Sequence, residues 1–170
     1  TDTATVAISS IASAYAEIGS DFAYNQTITV HVTGGSGDYE YQLNDGEFQD
    51  EPYFSGPFEG EYIITVKDKH GCGRATLEVY ALNYPRYFTP NGDGTHETWN
   101  INGLRGQTDA KVYIFDRYGK IISIVKPGTP GWNGTYNGIS LPATDYWFKL
   151  IYRSSTGQEK EFKAHFTLKR

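Results

Sequence analysis

Thr27-Ile28-Thr29-Val30-His31-Val32-Thr33 is the stretch from which the fold class is read. Ile28, Val30 and Val32 fall on one face, and Thr27, Thr29, His31 and Thr33 on the other, the period of two expected of a strand with one buried side. Tyr39, Tyr41 and Leu43 repeat the pattern, and Asn44-Asp45-Gly46-Glu47 then supplies an Asp-Gly hairpin signal. Tyr62, Ile64 and Val66 come next, and after a turn at Asp68-Lys69-His70-Gly71 come Ala75, Leu77 and Val79. Strands of this length and spacing predict a small immunoglobulin-like sandwich. The opening residues up to Gly19 read as an entering edge strand plus linker.

Asn83-Tyr84-Pro85-Arg86 marks a boundary, because Pro85 disfavours helix at Tyr84 and removes a backbone donor. Beyond it, Val112 to Phe115 and Ile121 to Val125 predict a hairpin around Arg117-Tyr118-Gly119-Lys120. Tyr146, Phe148, Leu150 and Tyr152 share a face, as do Phe162, Ala164, Phe166 and Leu168, with Ser154-Ser155-Thr156-Gly157 turning between them. The expectation is therefore all-β, two immunoglobulin-like β-sandwich domains in tandem: residues 1–83 as a spacer module and 84–170 as a second sandwich. The last strand runs almost to Arg170, so that end is expected to be presented folded, or read only at its exposed edge. Strand addition at the edge ending in Lys169-Arg170 is one such mode.

Composition narrows the function. The 170 residues carry a net charge of −5, with a pI near 5.3, so nothing here has the electrostatic footprint of a nucleic-acid or anionic-lipid binder. No stretch approaches the ~20 apolar residues of a membrane helix, and Thr1-Asp2-Thr3 has no signal-peptide character. The chain is then either cytoplasmic or a fragment of a longer secreted one. Cys72 is a single thiol without a matched partner and reads as inert.

Catalysis finds no support in the motifs. There is no Gly-x-Ser-x-Gly elbow, and His31, His70, His96 and His165 are scattered without metalloprotease spacing. The best metal candidate is the loop Pro90-Asn91-Gly92-Asp93-Gly94-Thr95-His96-Glu97, where Asn91, Asp93, Thr95 and Glu97 offer oxygens at alternating positions around a Gly-permitted turn. Two readings stand: a calcium site, or an Asx turn whose side chains cap backbone donors. No other cofactor is implied. Arg117, Lys120, Lys149, Arg153, Lys163, Lys169 and Arg170 tilt the second half basic. Trp99, Trp132 and Trp147 read mostly as core anchors, with one near Gly131-Trp132-Asn133-Gly134 as a contact hot spot if exposed.

Taken in order, several of these motifs resemble one family. They are Tyr87-Phe88-Thr89-Pro90-Asn91-Gly92-Asp93-Gly94 with Trp99, Ile114-Phe115-Asp116-Arg117-Tyr118-Gly119-Lys120, Gly131-Trp132-Asn133-Gly134, Leu141-Pro142-Ala143-Thr144-Asp145-Tyr146-Trp147-Phe148 and His165-Phe166-Thr167-Leu168-Lys169-Arg170. The series is similar to the type B C-terminal sorting domain of the Bacteroidetes type IX secretion system, also called the gliding motility-associated C-terminal domain. Asn133 stands where the family usually has Asp, Ala164 where it has Gly, and His96-Glu97 where it has Asn-Asp.

The resemblance implies a non-catalytic address that carries its cargo through the periplasm and outer membrane to the cell surface or medium. Its implied partners are the outer-membrane translocon, shuttle proteins and a PorP/SprF-like protein, without direct membrane insertion. On this basis Arg117, Tyr118, Gly119, Lys120, Asp145, Tyr146, His165, Phe166, Leu168, Lys169 and Arg170 are the expected translocon-recognition residues. Pro90, Asn91, Gly92, Asp93, Gly94 and Trp132 are expected to form a structural loop. The first half is similar to repeat modules of large surface adhesins, through Gly34-Gly35-Ser36-Gly37-Asp38-Tyr39, Gly60-Glu61-Tyr62 and Val66-x-Asp68-x-x-Gly71-Cys72, which points to a SprB-like gliding adhesin as passenger. Two other functions fit the same residues: an adhesive or carbohydrate-binding stalk, which predicts aromatic side chains exposed on one face, and an accessory domain of a hydrolase.

Overall fold

The computed structural model describes residues 11–71, 73–153 and 157–170. Thr1-Asp2-Thr3, Cys72 and the first three residues of the expected turn at Ser154-Ser155-Thr156-Gly157 lie outside the described residues. Those described are all-β, with several sheets, one short 3-10 turn and no α-helix. The chain divides into two compact units, residues 1–81 and 82–170.

In the first unit, β1 (Ile11–Ile18), β2 (Gln26–Gly34) and β4 (Tyr53–Gly56) form one antiparallel sheet. A second is made by β3 (Tyr39–Leu43), β5 (Gly60–Asp68) and β6 (Arg74–Ala81). The alternation in β2 buries Ile28 and Val30, and they meet Tyr41, Ile64, Val66 and Val79 from the other sheet in one apolar core. β1 is indeed an edge strand, paired on β2.

The Asn44-Asp45-Gly46 turn forms, with the Gly46 amide donating to the Leu43 carbonyl at 3.1 Å, but it does not build a full hairpin. The returning chain makes a single bridge, Gln49 to Tyr41, with both hydrogen bonds at 2.8 Å. It then leaves for the other sheet, where β4 pairs with β2. Pairing with β3 is taken over by β5.

The Gly34 to Tyr39 stretch and the turn after β5 meet at one buried carboxylate. Asp68 accepts hydrogen bonds from the Ser36 amide (2.7 Å), the Ser36 hydroxyl (2.6 Å) and the His70 amide (2.9 Å). Those donors, the Ser36 hydroxyl first, hold its pKa down at about 2. Gly35 is required beside it: φ is +84°, and a Cβ there would stand 2.6 Å from Asp68 Oδ2.

The second unit holds a five-stranded sheet in the order β7 (Tyr87–Phe88), β13 (Glu159–Leu168), β12 (Asp145–Arg153), β8 (Lys111–Phe115), β9 (Ile121–Val125). β7 runs parallel to β13, and the other neighbours are antiparallel. Tyr146, Phe148, Leu150 and Tyr152 all point inward from β12, as their spacing requires. The opposing layer is mostly loop, with the short hairpin β10 (Thr135–Tyr136) and β11 (Ile139–Ser140).

Two tryptophans organise that layer. Trp99 and Trp132 bridge each other through reciprocal backbone bonds of 2.8 and 2.9 Å. The Trp99 ring stacks on Phe166 with centroids 3.8 Å apart, and its indole N–H donates to the Pro85 carbonyl at 2.8 Å. Trp132 donates to the Thr135 carbonyl at 2.8 Å. Gly131 permits the approach, since its φ is +104° and a Cβ would lie 2.5 Å from the Trp99 carbonyl oxygen. Leu82 and Tyr84 are buried, and Tyr84 packs edge-on to Phe148 at 4.9 Å. The Asn83 to Arg86 stretch is thus part of this fold rather than a linker.

Candidate functional site

The residues expected to be read by a translocon separate into surface and core. Tyr146, Phe166 and Leu168 are buried. They shape the unit from within, and a partner docking on the folded unit would not touch them. Tyr146 donates its hydroxyl to the Pro142 carbonyl at 2.8 Å, and burial pushes its phenol pKa up.

Arg117, Tyr118, Gly119 and Lys120 form the tip of the β8–β9 hairpin. Asp116 fixes that tip: its carboxylate accepts from the Tyr118 amide at 2.9 Å and the Lys120 amide at 3.0 Å, and its carbonyl from Gly119 at 3.0 Å. The turn presents Tyr118, 79% exposed, with the Arg117 guanidinium over its ring at 4.9 Å. Lys120 lies 4.4 Å over the Tyr136 ring. A fixed turn with two cations on aromatic faces is a preorganised surface rather than a mobile one.

Asp145 and His165 sit on the outer face of the sheet. Trp147 pairs across with His165 on one side and Phe115 on the other. A shallow concavity of about 400 Å³ is lined there by Phe115, Trp147, Lys149, Lys163 and His165. Lys149 and Lys163 stand directly opposite each other, and Glu161 relieves the repulsion at 3.5 and 2.6 Å. Lys163 is the main cause of the lowered pKa of Glu161. The exposed tryptophan is therefore Trp147, at 42%, whereas Trp132 in the Gly131 to Gly134 loop is 3% exposed. Sequence parity carried that signal: Tyr146 and Phe148 point inward, so Trp147 between them must point outward.

Lys169 and Arg170 do not end a free edge. β7 lies along that end of β13, and the Thr167 and Lys169 amides donate to the Arg86 and Phe88 carbonyls at 2.9 and 3.0 Å. Arg170 donates to the carbonyls of Leu141 and Gly134. A strand added beside Lys169 would therefore have to displace β7, to which the Thr167 and Lys169 amides are already bonded.

In the loop of residues 90–97, the candidate oxygens cap backbone amides. Asn91 Oδ1 accepts from the Asp93 amide (3.1 Å), Asp93 Oδ1 from the Thr95 amide (2.7 Å) and Glu97 Oε1 from the Gly94 amide (3.0 Å). Asn91 also donates its side-chain N–H to Asp93 Oδ2 at 2.8 Å, the leading cause of the lowered Asp93 pKa. The Thr95 carbonyl faces the Thr89 hydroxyl at 3.4 Å. Among the described residues, no group of His, Cys, Asp and Glu side chains is arranged to hold a metal ion. Among the described residues, no helix is long and apolar enough to cross a membrane.

The profile of the CHU_C Type IX secretion signal domain family matches residues 82–168. It begins at the residue where the second compact unit begins. No curated protein matches the chain. Among solved structures, a biofilm associated protein, BSP domain, aligns over 90% of this chain and 29% of its own, at 13% identity and TM-score 0.31. Dimeric latent PorU from Porphyromonas gingivalis aligns over 94% and 20%, at 14% identity and TM-score 0.31. A structure of the M60 catalytic domain with two CBM51 domains of ZmpB from Clostridium perfringens aligns over 92% and 16%, at 15% identity and TM-score 0.30. The chain thus spans well under a third of each, and scores at this level fix neither function nor domain arrangement.

Proposed function

This chain belongs to the CHU_C type IX secretion signal domain family, and from that premise we propose that residues 82–170 are a non-catalytic sorting signal of type B. The signal sends a large surface protein, a gliding-motility adhesin, through the type IX translocon to the cell surface or medium. Its partners are then the outer-membrane translocon, shuttle proteins and a PorP/SprF-like protein. Residues 1–81 act as the last adhesive repeat or spacer ahead of the signal.

The observation that carries this reading is the coincidence of the family match with a self-contained, aromatic-cored unit. A sorting address must hold one shape while its cargo varies, and a unit with its own core does so. Arg117, Tyr118, Gly119, Lys120, Asp145, His165, Lys169 and Arg170 are the members of the expected set on its surface. Removing residues 82–170 from a reporter fusion of the whole chain should leave the reporter in the periplasm, while removing residues 1–81 should leave export intact. Export that survives loss of 82–170 would end the proposal.

A second reading has one observation in its favour. Trp147 lies exposed beside Phe115 and Tyr113 on the outer sheet face, the kind of aromatic platform a carbohydrate-binding stalk presents. Polysaccharide binding that is lost in Trp147→Ala would establish it.

A further inference from the structure

The five-stranded sheet of the second unit has two edges of opposite character. On one side β7 covers only Thr167 and Leu168 of β13, and the remainder of that strand carries Glu159, Lys160, Glu161 and Lys163. Charge along an open edge keeps other chains from pairing with it. On the other side is β9, Ile121-Ile122-Ser123-Ile124-Val125, with no charge, Pro or Gly. No described strand pairs with its outer side. A register slip that skips Ile122 leaves Ser123, Ile124 and Val125 in regular pairing with Ile114, Tyr113 and Val112. Ile121 and Ile124 are 48% and 51% exposed, and they extend the apolar outer face made by Tyr113 and Phe115.

The flanks of β9 decide what can occupy this edge. Lys120 precedes it and Lys126 follows it, both exposed. If two copies paired antiparallel about Ser123, Lys120 of each would stand opposite Lys126 of the other. In parallel register each lysine would face its own counterpart. Like charges directly opposite destabilise a strand pair, so a second copy is disfavoured in both arrangements. An incoming strand with acid at each end satisfies both lysines instead, and apolar side chains at alternating positions cover Ile121 and Ile124.

We propose that β9 is a docking edge for an extended segment of a partner protein that alternates apolar side chains and carries acidic residues at both ends. The partner's place in the export machinery rests on the sorting reading above; the binding chemistry does not. The probe is a labelled synthetic peptide alternating valine and threonine between aspartate and glutamate, compared with the same peptide ended in lysine, each titrated into the whole chain. The acidic-ended peptide should bind at least about tenfold more tightly, with the gap narrowing in high salt. It should also slow amide exchange at residues 121–125.

Ile121→Lys with Ile124→Lys places charge on half-exposed positions and should abolish that protection. Should this pair disturb folding, Lys120→Glu with Lys126→Glu carries the test, because the preference must then invert toward the lysine-ended peptide. Equal binding of the two peptides, protection at β13 instead of β9, or an unchanged preference in the charge-reversed chain would overturn the proposal. A chain that binds the acidic-ended peptide at β9 but is not exported would sink the sorting reading and leave the docking edge standing.

Discussion

In the first unit, the space between two three-stranded sheets is filled largely by aliphatic side chains such as Ile28, Val30, Ile64 and Val66, and a buried carboxylate, Asp68, ties two loops together at its end. In the second unit, one five-stranded sheet faces a layer that is mostly loop, and the filling is aromatic: Phe88, Trp99, Trp132, Phe148 and Phe166. A layer of loops has few ladder bonds to hold it. Its shape must come from large side chains that bury area and also donate hydrogen bonds, which is what the two indoles do. The second unit can therefore offer fixed loops and a fixed hairpin tip as a surface, whereas the first is held mainly by its two strand ladders and the core between them.

Trp99→Ala is expected to have the largest effect, roughly 3–5 kcal/mol from the second unit, because it empties the stack on Phe166 and strands the Pro85 carbonyl. Residue-resolved hydrogen exchange should show the loss in residues 82–170 and little in the first unit; a uniform loss would break the contrast. Gly131→Ala should cost about 2 kcal/mol in the same unit, through a strained φ and collision with the Trp99 carbonyl.

Acid probes the first unit. The pKa of Asp68 lies at about 2, below its ordinary 3.8, so its stabilising contribution is fully present above pH 3.8 and is lost as pH falls through about 2. Asp68→Asn should flatten that part of the pH dependence of urea unfolding in residues 11–81 and leave the second unit's unchanged. An unaltered acid profile would mean that the carboxylate is not the tie described.

Two small effects sharpen the surface side of the comparison. Trp147→Ala should cost under about 1 kcal/mol, since the side chain is half exposed on the outer face. Millimolar calcium should raise the melting temperature by less than about 1 °C, because Asn91, Asp93 and Glu97 already bond backbone amides. A shift of several degrees, reversed by chelator, would instead assign the loop as a calcium site.

Local signals carried much of the fold. The alternation of Ile28 with Val30, and of Tyr146 through Tyr152, placed those side chains correctly because strand parity is written in neighbouring residues. Strand order is not local. Nothing near Asn44-Asp45-Gly46 says that the chain will cross to β2 after one bridge, and nothing in Tyr87-Phe88 says that it will lie parallel to β13 and close the edge at Lys169. The candidate surface differs for another reason: motif groups Tyr146, Phe166 and Leu168 with exposed neighbours, although strand parity already places them inside. The β9 edge was invisible until the order of the sheet was known, since a hairpin strand reads alike at the margin and in the middle.

The central claim is that the second unit is sufficient as a sorting signal, and the most direct test is export of a fluorescent protein fused ahead of residues 82–170 in a type IX-competent strain and in a translocon-deficient one. The account predicts fluorescence at the surface or in the medium of the first strain and periplasmic retention in the second. Retention in both, with the fused unit shown to be folded, would contradict it.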